Sequence, residues 1–190
     1  MGAPPALLVM ESAARPGPEL RELLGAKRAA RVERLLVRRA MEWRGALGVG
    51  PVWVADDDEA VPDALARVFA ESGGDGPLVV VWPVLPCWRA EHAFAVVDDL
   101  AAGCEASVAP VFDHGLYMLA LARPIPAVLS LPGETWDSPN ATGLVLAPIN
   151  EAGAQVGLVR PERALRRTGD VRAALADPLL DDELRELLAG

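Results

Sequence analysis

Cysteine and long apolar stretches are both scarce in this sequence of 190 residues. The two cysteines, Cys87 and Cys104, form neither a disulfide framework nor a Cys-x-x-Cys pair, so we interpret both as thiols of the core. No uncharged stretch is long enough to cross a bilayer, and the segment from Met1 to Met10 has no basic region of a secretion signal. We therefore expect a cytoplasmic protein without a membrane anchor.

Basic charge is also in the minority. The chain has 18 Lys and Arg against 27 Asp and Glu, which gives a net charge of −9. Nucleic-acid binding depends largely on neutralising phosphates, so this balance argues against it. Hydrophobic residues make up 52% and charged residues 24%, which excludes collagen-like, coiled-coil and wholly disordered chains. The length suits a single domain, residues 1–190, with a full core.

The positive charge is concentrated near the start of the chain. Between Arg15 and Arg44 there are nine basic and four acidic residues. Apolar residues at helical spacing predict a helix over Ala26–Trp43, with arginines on its other face. We predict that five of them are largely exposed: Arg28, Arg31, Arg34, Arg38 and Arg39. This face is either a solvated surface with internal salt bridges or a site for an anion or a partner, including a second copy of the chain.

Short apolar runs alternate with helical patterns along the chain. The runs predict strands over Ala6–Met10, Val52–Ala55, Leu78–Trp82, Ala106–Val111, Leu116–Ala122 and Val156–Val159. Helical patterns follow at Pro62–Ala70, Trp88–Ala102, Ala127–Leu131, after Ser138-Pro139, and twice between Asp170 and Leu188, where Asp181 is a predicted cap. This alternation predicts an α/β fold with a mostly parallel sheet and helices on both faces. The runs at Ala6–Met10 and Leu78–Trp82 lack polar residues, so both should be central strands buried on two faces.

Three segments carry a family resemblance. Ala6–Met10 precedes the loop Arg15-Pro16-Gly17, Gly76–Pro86 is an apolar strand with a proline-rich end, and Pro110–Leu121 contains Pro-Val-Phe-Asp-His-Gly-Leu-Tyr. In this order the segments resemble small bacterial proteins of the glycosyltransferase-A, nucleotidyltransferase-like fold, the arsenosugar-type, CofC-like glycosyltransferases. The resemblance implies a three-layer, Rossmann-like domain of the nucleotide-diphospho-sugar transferase type, and a nucleotide or sugar nucleotide as its ligand.

The metal and phosphate motifs of that family are degenerate here. The family's Asp-Ser-Pro aligns with Val81-Trp82-Pro83, and no acidic residue occurs between Gly76 and Ala90. Mg²⁺ usually takes one or two carboxylates together with phosphate oxygens, which an apolar strand end cannot provide. The family's Lys-Thr-Arg falls near Leu20-Arg21-Glu22, which has no lysine. The comparison implies a transferase relative with reduced or lost activity, in which Mg²⁺ or Mn²⁺ binds weakly or not at all.

Acidic and imidazole groups near the predicted strand ends are the candidates for chemistry. Asp113 matches the family's acid and, with the adjacent His114, could act as a catalytic base; Asp113 and Asp170 could be metal ligands. Asp113 and His114 could instead form a polar turn between two strands, and Asp170 could cap a helix. We interpret Asp56–Glu59 as a solvated loop and expect His92 on the surface.

Five further residues are candidates for ligand contacts: Arg15, Arg21, Trp82, Trp88 and Tyr117. The arginines would meet phosphates, and Tyr117 lies in the segment that resembles the family. The two tryptophans could stack on a nucleotide base, or could fill the space that a nucleotide once occupied. Three functions stay open: a transferase with a reduced site, a non-catalytic ligand-binding relative, and a structural partner in an oligomer.

Overall fold

The computed structural model describes residues 4–48, 50–56, 58–74, 76–112 and 115–190. It contains six strands, β1 (Ala6–Val9), β2 (Val52–Val54), β3 (Leu78–Val81), β4 (Ala106–Pro110), β5 (Leu116–Leu121) and β6 (Val156–Leu158). Each coincides with a predicted strand and is one residue shorter at its carboxyl end.

The strands form a single sheet in the order β2-β1-β3-β5-β4-β6. β5 runs antiparallel to both of its neighbours, and every other pairing is parallel. β1 and β3 lie in the interior of the sheet, and all their side chains are buried. The predicted α/β class, the mostly parallel sheet and the two central strands are therefore confirmed.

Seven helices accompany the sheet in the part of the chain that the structure describes. They are α1 (Pro18–Leu47), α2 (Val61–Glu71), α3 (Ala90–Ala101), α4 (Pro126–Leu129), α5 (Ala141–Glu151), α6 (Thr168–Ala176) and α7 (Asp182–Ala189). α1 and α3 pack together on one face of the sheet, while α2, α4 and α5 form the layer on the other. Within the described residues, no helix is both long and apolar enough to span a bilayer.

α1 begins well before the predicted start at Ala26. Pro18 occupies its first turn, where a missing N–H costs nothing, and Gly25 then interrupts the helix with a φ of 71° and a ψ of 155°. Because Gly25 interrupts the helix, the apolar spacing that predicts a helix over Ala26–Trp43 does not extend to the residues before it, and the first segment was not predicted. Of the five arginines predicted to be exposed, Arg28 and Arg39 are half-buried, because Arg28 bonds to a backbone carbonyl and Arg39 pairs with Asp181.

The core consists of two hydrophobic clusters. The larger one is the sheet with the inner faces of its helices. The smaller one joins the first half of α1 to α6 and α7, through residues such as Leu24, Val32, Val171 and Leu184. It adjoins the loop after β3, because Cys87 packs against it. The predicted cap Asp181 begins α7, where its carboxylate accepts a hydrogen bond from the backbone N–H of Leu184.

α3 differs from the prediction in the face that it buries. His92, predicted on the surface, is only 3% exposed, while Phe94 is 49% exposed. His92 and Val96 share the fully buried face with Ala93. A carboxylate on another segment, that of Glu162, lies 2.9 Å from the Nε2 of the buried imidazole, which compensates its burial.

Candidate functional site

The carboxyl ends of the parallel strands define the candidate site. In open α/β sheets, ligands bind in the crevice beyond these ends. β3 leads into the loop of residues 82–89 at this edge, and β6 leads into residues 159–167. Because β5 is antiparallel, its first residues lie at the same edge. The fold thus brings Trp82, Trp88 and Tyr117 to the same end of the strands.

The sequence predicts Asp113 and His114 as catalytic residues and Asp113 also as a metal ligand. Both residues lie outside the described part of the structure. Their described neighbours are Phe112, which is exposed, and Gly115, which has a φ of 86°. A Cβ atom at Gly115 would lie 3.4 Å from a guanidinium nitrogen of Arg166. The roles of Asp113 and His114 stay predictions.

Trp82 is enclosed rather than open to a ligand. Its ring stacks on Trp136, with the ring centroids 5.9 Å apart and an interplanar angle of 18°. The two side chains are 6% and 5% exposed. The Nε1 of Trp136 is buried and has no hydrogen-bond partner among the described residues. The ring of Trp82 is therefore covered by Trp136, and its role toward a nucleotide stays a prediction.

Trp88 packs against α1. It makes an edge contact with Trp43 of α1, with centroids 4.3 Å apart and an interplanar angle of 79°. Trp43 in turn lies 5.7 Å from His92 of α3, measured between ring centroids. Trp88 therefore supports the contact between α1 and α3.

Tyr117 is fully buried and connects β5 to the segment after β6. Its hydroxyl donates to the backbone carbonyl of Arg160 at 3.2 Å, and its ring makes an edge contact with His92. Burial raises the pKa of Tyr117 far above its usual value. The phenol stays protonated, so Tyr117 acts here as a structural hydrogen-bond donor.

The buried pair of His92 and Glu162 was not recognised from the sequence. The Nε2 of His92 lies 2.9 Å from a carboxylate oxygen of Glu162. Burial lowers the pKa of His92, although the neighbouring carboxylate acts in the opposite direction. Glu162 also pairs with Arg160. The imidazole, the carboxylate and the guanidinium therefore form a network near the carboxyl ends of the parallel strands. Seventy positions separate the partners, so no local sequence pattern indicates the contact.

Asp170 has the geometry of a helix cap. It is 4% exposed, and one carboxylate oxygen accepts from the backbone N–H groups of Arg166 and Arg167 at 3.0 and 2.8 Å. The other oxygen lies 3.2 Å from a guanidinium nitrogen of Arg163. Both oxygens are occupied at the start of α6, so a cation would have to displace these bonds.

The two arginines predicted to bind phosphate lie near the start of α1. The guanidinium of Arg15 lies 3.5 Å from the carboxylate of Glu33, and the Nε of Arg21 donates to the backbone carbonyl of Pro16 at 3.0 Å. Both side chains are exposed. Their described contacts stabilise the loop and the first turn that follow β1.

The described residues do not fit the divalent cation that the family resemblance implies. No group of three or more potential ligands occurs among them. Val81 and Trp82 at the end of β3 are buried and apolar, and Asp170 is committed to its helix. Mg²⁺ usually takes one or two protein carboxylates together with phosphate oxygens, and among the described residues neither the end of β3 nor the start of α6 offers a free one.

A cavity of about 140 Å³ opens between the loop after β3 and α6. Its lining combines apolar walls with two arginines, two acids and a thiol: Leu85, Pro86, Cys87, Arg89, Glu162, Arg163, Ala173, Ala174 and Asp177. The thiol of Cys87 donates to Asp177 at 3.4 Å. Burial, with a contribution from Asp177, raises the pKa of Cys87 to about 12, which keeps the thiol protonated and unreactive.

Comparisons with known proteins support the fold. No model of a known protein family matches the sequence, and no curated protein matches it. The structure is similar to a crystal structure from Desulfovibrio desulfuricans G20, of a protein proposed to be a nucleotide-diphospho-sugar transferase. The TM-score is 0.67 at 15% identity, over 98% of this chain and 94% of that chain. The chain therefore has the α/β fold of a nucleotide-diphospho-sugar transferase.

Proposed function

We propose that this protein is a transferase relative that has lost metal-dependent transfer and keeps a binding role at the carboxyl edge of its sheet. One observation carries the proposal: the end of β3, where the family resemblance implies a metal carboxylate, is closed by the buried stack of Trp82 on Trp136. Transfer of a phosphate-linked group relies on neutralising the charge of the phosphates. An aromatic stack supplies no such charge.

The size of the edge cavity supports the same proposal. Sites that enclose a molecule of drug size typically measure about 300–1,000 Å³. The cavity beside α6 measures about 140 Å³, which is too small for a whole sugar nucleotide. It leaves room for one charged group.

The test combines turnover with metal binding. Nucleoside triphosphates and sugar nucleotides are incubated with Mg²⁺ or Mn²⁺, and phosphate, pyrophosphate and nucleotide release are measured. We expect no metal-dependent release, and no micromolar heat signal when Mn²⁺ is titrated with or without nucleotide.

The contrary result is equally specific. Micromolar Mn²⁺ binding that Asp113→Ala abolishes and Asp58→Ala preserves would restore an active transferase. Asp58 is the matched control, because it is an exposed acid near the end of another parallel strand, β2.

A second function is favoured by a stripe of cations on α1. Lys27, Arg31 and Arg34 are exposed, and the structure gives them no ion pair among the described residues. Their spacing places them on one helix face. The rest of the chain is acidic, so we propose that this stripe binds the acidic surface of a second copy.

Sedimentation velocity tests this second function. We expect self-association at low salt that weakens at 0.5 M NaCl, because salt screens exposed charges. The double variant Arg31→Glu and Arg34→Glu should be monomeric. The control pair Arg123→Glu and Arg172→Glu makes the same charge change elsewhere and should still associate. A wild-type monomer at every concentration and salt would refute this function.

A further inference from the structure

The guanidinium of Arg89 makes no hydrogen bond to another described residue. It directly precedes α3, and its side chain is about one-third exposed. Its Nε is buried and has no hydrogen-bond partner among the described residues. The nearest acid, Asp177, lies 3.6 Å from a terminal guanidinium nitrogen, beyond ordinary hydrogen-bond distance. Buried donors are almost always satisfied, and Arg89 lines the cavity beside α6, so an anion held in that cavity is a candidate partner for its guanidinium.

The two acids that line the cavity also have partners other than Arg89. One oxygen of Asp177 accepts the backbone N–H of Leu179 at 2.8 Å, and the other accepts the thiol of Cys87. The carboxylate of Glu162 contacts His92 and Arg160. These bonds hold both acids in place and leave the donors of Arg89 only partly matched.

A second guanidinium lines the same cavity. Arg163 is half-exposed, and its described ion pair is with Asp170 at 3.2 Å. Leu85, Pro86 and Ala174 form apolar walls around the two cations. A volume of about 140 Å³ holds a few water molecules, since each takes about 30 Å³ in the liquid. The same space accommodates a phosphate or carboxylate group.

We propose that this cavity binds an oxyanion, a phosphate or carboxylate group of a small molecule, through Arg89 with Arg163 as a second cation. The planar fork of a guanidinium matches two oxygens of either group. The inference rests on the proposed function in taking the carboxyl edge as the binding side. It deepens that function, because the arginines supply the positive charge and the binding requires no metal.

Binding is measured with inorganic phosphate, pyrophosphate and acetate, each in the presence of EDTA. We expect at least one probe to raise the melting temperature by roughly 5 °C at a hundred times its Kd, and to give a calorimetric Kd. A preference for phosphate and pyrophosphate assigns a phosphate group, and a preference for acetate assigns a carboxylate.

Three variants localise the binding. Arg89→Gln should weaken it by more than tenfold, and Arg89→Lys should weaken it less, because it keeps the charge and loses the fork. Ala173→Leu places a larger side chain at the cavity while every charge remains, and should also weaken binding by more than tenfold. The matched control is Arg123→Gln, whose guanidinium pairs with Glu105 near the opposite edge of the sheet and should leave the Kd unchanged.

Several outcomes would overturn the inference. They are the absence of binding for all three probes, or a Kd that neither Arg89→Gln nor Ala173→Leu changes. If Arg89→Gln does not fold, Ala173→Leu decides alone. Metal-dependent turnover is measured separately. Turnover together with anion binding in this cavity would refute the proposed function and leave the inference standing. The absence of both turnover and anion binding would refute the inference and leave the proposed loss of transfer standing.

Discussion

At the residue scale, the side chain of Asp99 leaves no space for a residue larger than glycine at Gly157 of β6. A Cβ atom there would overlap the carboxylate of Asp99, which accepts a hydrogen bond from the buried hydroxyl of Ser107 at 2.5 Å. We predict that Gly157→Ala destabilises the protein by about 2–4 kcal/mol, through overpacking and loss of this bond. Urea unfolding measures the effect. Gly169→Ala, where a Cβ meets open space, should be nearly neutral, and an equal loss in both variants would contradict the argument.

A second prediction at this scale concerns the pH dependence of His92. Its pKa is lowered by burial from the ordinary value of 6.5. The unfolded chain therefore binds a proton more readily than the folded one. The free energy of unfolding has its full value above pH 6.5 and decreases as the pH falls below 6.5. Each unit by which the pKa is lowered removes about 1.4 kcal/mol.

The measurement is the free energy of unfolding between pH 7.5 and 5. His92→Gln should flatten the loss in this window. A slope that persists in the His92 variant would assign the pH dependence to another group.

At the scale of elements, Asp170 holds the start of α6. Removing its carboxylate leaves two backbone N–H groups and Arg163 without their acceptor. We predict that Asp170→Ala costs about 2–3 kcal/mol, because hydrogen bonds to a charged group contribute about 1.5–3 kcal/mol. Thermal unfolding with and without Mn²⁺ measures it. A loss that depends on metal would show that the carboxylate is a ligand rather than a cap.

Some elements could be predicted from sequence and others could not, for physical reasons. Uninterrupted apolar runs mark β1 and β3, because only strands buried on both faces tolerate them. The direction of β5 is implied by its short connection to β4, since a parallel pair needs a long crossover. The face of α3 could not be predicted, because His92 becomes a core residue only when Glu162, far away in the chain, reaches it.

At the candidate site, too, some features could be predicted from the sequence and others could not. The position of Trp82 at a strand end was predictable from the apolar run that precedes it. Its stacking on Trp136 was not, because that ring arrives from a segment more than fifty residues later. Arg89 and Asp177 likewise meet only through the packing of α6 against the loop after β3.

At the scale of the whole molecule, the smaller hydrophobic cluster ties α1 to α7. Leu184 is almost fully buried in it, together with Leu24 and Val32. We predict that Leu184→Ala lowers the free energy of unfolding by about 2–5 kcal/mol, the usual cost of a large cavity. Exposed Leu179→Ala is the matched control. Equal urea midpoints for the two variants would mean that α7 adds little to the stability of the molecule.

This pairing of distant segments has a consequence for biosynthesis. The apolar side of the first half of α1, including Leu20, Leu24 and Val32, emerges from the ribosome early, while its cover in α6 and α7 is made only after residue 167. At a synthesis rate of about 5–20 residues per second, that surface waits on the order of ten seconds for its partner. The nascent chain therefore exposes this apolar helix face until α6 and α7 have been synthesised, and exposed apolar surface of this kind makes an incomplete chain prone to aggregation.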